Sequence, residues 1–74
     1  MARADEVVAV GVHEFPNEVL VEVTRRNEEG FLVVESFPFE EGEYGLEPTM
    51  TVPEEVEETV SSALIEDGYA LSTA

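Results

Sequence analysis

The chain has 74 residues, and 18 acidic residues against three arginines and no lysine give it a net charge of −15. Without cysteine it has neither disulfides nor thiolate metal sites, and no apolar run is long enough to span a membrane. Residues 1–6 lack the apolar core of a signal peptide, which predicts a cytoplasmic protein. With 43% hydrophobic residues, the chain is expected to fold as one small domain over 1–74, with 1–5 loose.

The first predicted strand begins at Glu6 and runs through a nearly continuous β-branched segment to His13. Because side chains alternate along a strand, Val8, Val10 and Val12 are expected on one face. The other face then carries Val7, Ala9, Gly11 and His13. Both faces would be apolar, so both are expected to be covered at least in part.

The second strand, from about Glu18 to Arg25, alternates more cleanly. One face is predicted to carry Val19, Val21 and Val23, and the other Glu18, Leu20, Glu22 and Thr24. Residues 26–30 predict a hairpin loop in which Gly30 takes a positive φ. The third strand, 31–39, places Leu32 and Val34 on one face, and Phe31, Val33, Glu35 and Phe37 on the other. Pro38 predicts either that this strand ends there or that the backbone nitrogen of Pro38, which has no hydrogen to donate, faces outward from the sheet.

An acidic turn at residues 40–43 leads into a weak fourth strand, which Gly45 and Pro48 interrupt. A helix follows within Thr51–Tyr69, because apolar residues recur there at a period of 3.6: Val56, Val60, Ala63 and Leu64. Thr51 and Glu54 have the spacing of a capping box, and Gly68 predicts a left-handed stop. Residues 69–72 could add a short edge strand.

These elements predict an α+β fold with the order ββββα and possibly a short final β-strand. Short connections favour an antiparallel meander of three to four strands. The helix is expected to pack across one face of that sheet.

The charge balance is more informative about the salt concentration in which the protein works than about any reaction or ligand. Acidic excess without lysine resembles the composition of proteins from salt-in halophiles, since molar salt screens the self-repulsion of a small, highly charged domain. A mimic of nucleic-acid phosphates is the rival interpretation. Halophily is favoured because the carboxylates are spread through every segment.

No residue pattern predicts an enzyme, and we assign no catalytic residue, metal ligand or cofactor. His13, the single histidine, lacks a nucleophile or second ligand at a recognisable spacing. The glutamates at 40–43 and 54–58 lack the converging loop that Mg²⁺ or Ca²⁺ requires. Arg25 and Arg26 are too few to bind nucleic acid, and we expect them to pair with Glu28 or Glu29.

One functional expectation has a physical reason behind it. A single helix covers one face of the sheet, so the second apolar face needs another cover, which a second copy would supply. The predicted interface comprises Val7, Ala9, Phe31, Val33 and Phe37. The sequence therefore predicts a non-enzymatic, acidic, homodimeric interaction module that binds neither nucleic acid nor membrane. Alternatives are a ligand-binding or catalytic domain with a site formed between subunits, and an acidic mimic or antitoxin-like partner.

Overall fold

A computed structural model describes residues 6–72. It contains four strands and one helix in the order ββββα: β1 (Glu6–Glu14), β2 (Val19–Arg26), β3 (Leu32–Glu41), β4 (Leu46–Pro48) and α1 (Glu54–Glu66). The strands form one antiparallel sheet in the order β1-β2-β3-β4. The predicted meander with one helix packed on it is confirmed.

The core lies between α1 and one face of the sheet. The three valines of β2 that were predicted to share a face are buried there, as are Phe37 and Phe39 of β3. The helix contributes Val56, Val60 and Leu64, which are almost completely shielded from solvent. These three residues recur every four positions, so the 3.6-residue period that predicts the helix also aims one stripe at the sheet.

A β-bulge in β1 changes which residues share a face. Val7 lies opposite Arg25, but Ala9 lies opposite Thr24, so the register shifts between Val7 and Ala9. The extra residue, Val8, moves Val7 onto the helix-covered face. The expectation that Val7 and Ala9 share a face is therefore wrong, because strict alternation does not hold through a bulge.

The β2–β3 hairpin is closed by Asn27, whose side-chain oxygen accepts hydrogen bonds from the backbone N–H groups of Glu29 and Phe31. Gly30 has a φ of 90°, which confirms the predicted positive φ. The side chain of Asn27 thus satisfies donors that the short loop leaves without strand partners.

The helix begins after Pro53, which occupies the N-cap position, and no side chain caps it. The predicted capping box is wrong, since Thr51 lies two residues before the N-cap instead of on it. The C-terminus agrees with the prediction: Gly68 has a φ of 98°, its N–H bonds the carbonyl of Ile65, and the N–H of Tyr69 bonds that of Leu64. This is a Schellman motif. No helix among residues 6–72 is long and apolar enough to cross a bilayer.

After the helix, the chain returns to the free side of β4. Leu71 forms a parallel bridge with Leu46, flanked by hydrogen bonds from Leu46 N–H to Ala70 O and from Ser72 N–H to Leu46 O. The predicted edge segment at 69–72 is present as this single bridge. Gly45 permits the approach, since a Cβ there would lie 2.8 Å from the carbonyl oxygen of Ala70.

Candidate functional site

The sheet face opposite α1, here called the open face, is the candidate site. Strand register assigns to it these residues of β1, β2 and the first part of β3: Glu6, Ala9, Gly11, His13, Leu20, Glu22, Thr24, Arg26, Leu32, Val34, Ser36 and Pro38. Leu32 and Val34 are 58% and 57% exposed. No segment within residues 6–72 packs over this face.

Both carboxylates among these residues lie near a basic side chain. The Nε2 atom of His13 lies 3.4 Å from a carboxylate oxygen of Glu22. Glu22 stands directly opposite Gly11, so the imidazole reaches it diagonally across a residue that has no side chain. Glu6 stands opposite Arg26 at the far end of the same face. Two further carboxylates, Glu40 and Glu47, mark the corner next to β4.

The outer side of α1 has a different charge pattern. Its exposed acidic residues follow one another without a basic residue anywhere in the helix: Glu54, Glu55, Glu57, Glu58 and Glu66. A second copy of a protein with a net charge of −15 is repelled strongly from such a surface. On the open face, by contrast, Arg26 and, when it is protonated, His13 offset part of the negative charge.

The five residues predicted as an interface do not form one surface. Phe37 is 3% exposed and belongs to the core, so it is not available to a partner. Val7 and Val33 lie on the helix-covered face, and Phe31 lies in the β2–β3 hairpin. Ala9 alone lies on the open face.

Among the open-face residues that the predicted interface leaves out are three branched aliphatic ones, Leu20, Leu32 and Val34. The alternation in β2 and β3 predicts that these three residues lie on the other face of the sheet from the buried valines and phenylalanines. What the sequence did not indicate was which of the two apolar faces the helix covers.

The helix-covered face is also exposed at one end. The ten residues of β3 extend about 33 Å, whereas the 13 residues of α1 extend about 20 Å. Val7, Val10 and Val33 remain partly exposed there. Beside them, Arg25 forms a 2.6 Å ion pair with Glu35 of β3.

That ion pair corrects the expected pairing of Arg25 with a loop glutamate. Glu35 stands opposite Val23, one position from Arg25 along the same face, which brings its carboxylate within reach of the guanidinium. Arg26 forms no ion pair within residues 6–72, so the predicted pairing of Arg26 with Glu28 or Glu29 is not found.

A cleft of about 540 Å³ lies between the β1–β2 turn, β4 and the end of α1, and its carboxylates come from Glu14, Glu18, Glu40 and Glu41. Partial burial raises the pKa of the Tyr69 hydroxyl above its ordinary value. Glu14, which accepts a hydrogen bond from that hydroxyl, raises this pKa further, and so does the charge of Asp67. The Tyr69 hydroxyl keeps its proton at neutral pH and can donate a hydrogen bond.

The two glutamate runs do not converge. Among residues 6–72, no group of three or more acidic or histidine side chains is placed to hold a metal ion. His13 lies on the open face with Glu22, whereas the cleft carboxylate Glu14 lies on the helix-covered side. The structure thus does not bring the histidine and the cleft carboxylates into one constellation.

The chain matches no protein-family model, and comparisons with curated proteins and with solved structures find no relative.

Proposed function

We propose that this protein is a small, acidic, non-enzymatic interaction module that self-associates as a homodimer through its open face in a high-salt cytoplasm. The observation that carries the proposal is the exposure of Leu32 and Val34 on a sheet face whose carboxylates lie near basic side chains. Apolar strand residues exposed in a row are typical of surfaces that associate.

Charge favours a second copy at this face over the rest of the described surface. Like-charge repulsion opposes contact wherever carboxylates are unpaired, as along α1. On the open face, Glu22 lies 3.4 Å from His13 and Glu6 stands in register with Arg26, so part of the negative charge is offset and two such faces are expected to repel each other less than two α1 surfaces. Because a two-fold axis brings the same patch together from both copies, a patch in which cations offset part of the negative charge is repelled less by its own copy.

Burial supports the same surface. The half-buried Leu20 and Pro38 stand opposite each other on this face, and the exposed Leu32 and Val34 lie farther along β3, with the Glu22–Ser36 pair between the two groups. Each square ångström of apolar surface removed from water contributes roughly 25 cal/mol. Of the polar residues among them, Thr24 and Ser36 are uncharged and can be covered at a smaller desolvation cost than the carboxylate of Glu22.

The test is the molar mass of the protein in 2 M KCl, measured by light scattering over a concentration series. The wild-type mass is expected to approach twice the 8.1 kDa of one chain. Val34→Glu places a charge beside the exposed Leu32 on the open face and is expected to return the mass to that of the monomer. Ile65→Glu is the matched control, because Ile65 is exposed on α1, away from this face.

A monomeric mass for the wild type at high concentration would contradict the proposal. So would equal loss of the dimer in both variants, because the effect would then report added charge and not position. Circular dichroism of each variant establishes that the fold is retained.

The cleft next to Tyr69 favours a second candidate function, the binding of a small cationic ligand. Its carboxylates and its tyrosine hydroxyl suit an organic amine, which both charge and hydrogen bonds would hold. Titration with putrescine, followed by NMR shifts of the Tyr69 ring, tests it. Shifts that disappear in Glu14→Gln are expected, and shifts that persist unchanged in that variant would contradict binding in the cleft.

A further inference from the structure

The two edges of the sheet are protected unequally. The β4 edge is only three residues long, contains Pro48 and is bridged by Leu71. The β1 edge is nine residues long, has a bulge at Val8 near its start, contains neither proline nor lysine, and pairs with β2 alone among the described strands. Short length, proline, a bulge and a covering segment are devices by which proteins block strand addition, whereas the regular edge beyond the bulge, residues 9–14, offers unpaired N–H and C=O groups.

A groove of about 430 Å³ accompanies this edge. It lies between β1 and the flank of α1, with Val10, Thr59, Ser62 and Ala63 as its small and apolar lining. Its two acidic residues, Glu58 and Glu66, are exposed on the helix. A strand added to β1 would direct every second side chain toward this groove and the others toward the open-face side of the sheet.

From the edge and the groove together, we propose that β1 binds an extended, basic peptide segment of another protein by strand addition. Backbone hydrogen bonds to β1 would supply affinity, and lysine or arginine at alternate positions would face Glu58 and Glu66. Alternate side chains on a strand fall about 7 Å apart, so such a segment presents cations along the whole groove. This surface is separate from the open face, and the inference does not depend on the proposed dimer.

A second copy suits this edge less well than a basic peptide does. Two β1 strands paired across a two-fold axis would bring the Glu58 and Glu66 carboxylates of one copy toward those of the other. Each copy also carries a net charge of −15, which a cationic peptide would offset instead of doubling. The occupant to which the charge distribution points is therefore heterotypic and positively charged.

The binding test uses a labelled synthetic peptide, acetyl-Lys-Val-Lys-Val-Lys-Val-Lys-amide, in 0.5 M KCl. The control peptide replaces each valine with proline, which keeps the charge but removes the alternate N–H donors. The valine peptide is expected to bind at least tenfold more tightly than the proline peptide. Hydrogen exchange of the β1 amides is expected to slow on binding, with the β4 amides unaffected.

Charge reversal locates the site. The double variant Glu58→Lys/Glu66→Lys is expected to bind the valine peptide at least tenfold more weakly than wild type. The control, Glu29→Lys/Glu43→Lys, has the same net charge but changes exposed positions in two loops, and it is expected to stay within threefold of wild type. Circular dichroism checks that both variants fold.

Four results would overturn the inference: no binding of the valine peptide, equal binding of the two peptides, equal weakening in the two double variants, or protection of amides outside β1. The inference would also be overturned if, without peptide, protection of the β1 amides from hydrogen exchange increased with protein concentration. A second copy would then occupy the edge.

Discussion

The helix-covered face and the open face of the sheet carry similar aliphatic side chains with opposite outcomes. On the covered face, Val21 and Val23 are fully shielded by α1, whereas Leu32 and Val34 on the open face remain more than half exposed. The difference comes from the number of covering elements, because one helix of about 20 Å can shield the middle of one face and no more. The apolar content of a strand therefore predicts burial only when a helix or another segment is available to pack on each face of the sheet.

The largest effect is expected from the covered face. Leu64→Ala should lower the free energy of unfolding by about 2–5 kcal/mol, because it leaves a cavity where a fully buried side chain packs. Chemical denaturation in molar KCl measures it. Ile65→Ala is the control on the same helix, because Ile65 is 60% exposed, and it should change the stability by less than about 1 kcal/mol. Similar losses in the two variants would mean that α1 does not pack through this stripe.

The comparison also separates what the sequence could predict from what it could not. In β2, valines alternate with polar or larger residues, so the period of two identifies both faces correctly. In β1, the run Val7–Val10 is apolar at every position and offers no mark for the bulge that places Val7 and Ala9 on different faces. Alternation predicts facing only where the two sets of residues differ in polarity.

The candidate site was harder to predict than the fold for a related reason. Phe37 was assigned to the interface because both faces of the third strand looked apolar, and the choice of face depends on tertiary packing. The helix start shows another limit, since Thr51 and Glu54 have capping-box spacing but Pro53 takes the N-cap. By contrast, Gly68 acts through local backbone geometry alone, and its prediction is confirmed.

Salt should raise the thermal stability of the whole domain, because it screens the negative charge that both faces of the sheet experience. With a net charge of −15 and no lysine, the domain should gain thermal stability steadily between 0.1 M and 3 M KCl. The Debye length falls to roughly 3 Å at 1 M salt, which screens repulsion between the carboxylates. Thermal melts followed by circular dichroism test this, and NaCl in place of KCl checks for a cation-specific effect. A melting temperature that is flat or falls over this range would contradict the halophilic interpretation.

A smaller effect is expected from Tyr69, at the edge of the covered face. Its pKa in the folded protein lies above the ordinary value of 10.0. The contribution of protonated Tyr69 to the stability of the fold is therefore fully present below about pH 10 and is lost as pH rises through the pKa of Tyr69 in the folded protein. Ultraviolet titration in a Tyr44→Phe background isolates the Tyr69 signal. Glu14→Gln should lower the pKa of Tyr69 relative to that background, and an unchanged or higher pKa would show that Glu14 does not contribute.

The most direct test of the central claim asks which residues lie at the contact between two copies. Deuterated, ¹⁵N-labelled protein is mixed with unlabelled protein in 2 M KCl, and saturation is transferred from the unlabelled copy to the amides of the labelled one. We expect the amide signals of Leu20, Thr24 and Val34 to lose the most intensity, with those of α1 little changed. Intensity loss concentrated on α1, or no loss at any residue at high protein concentration, would contradict association through the open face.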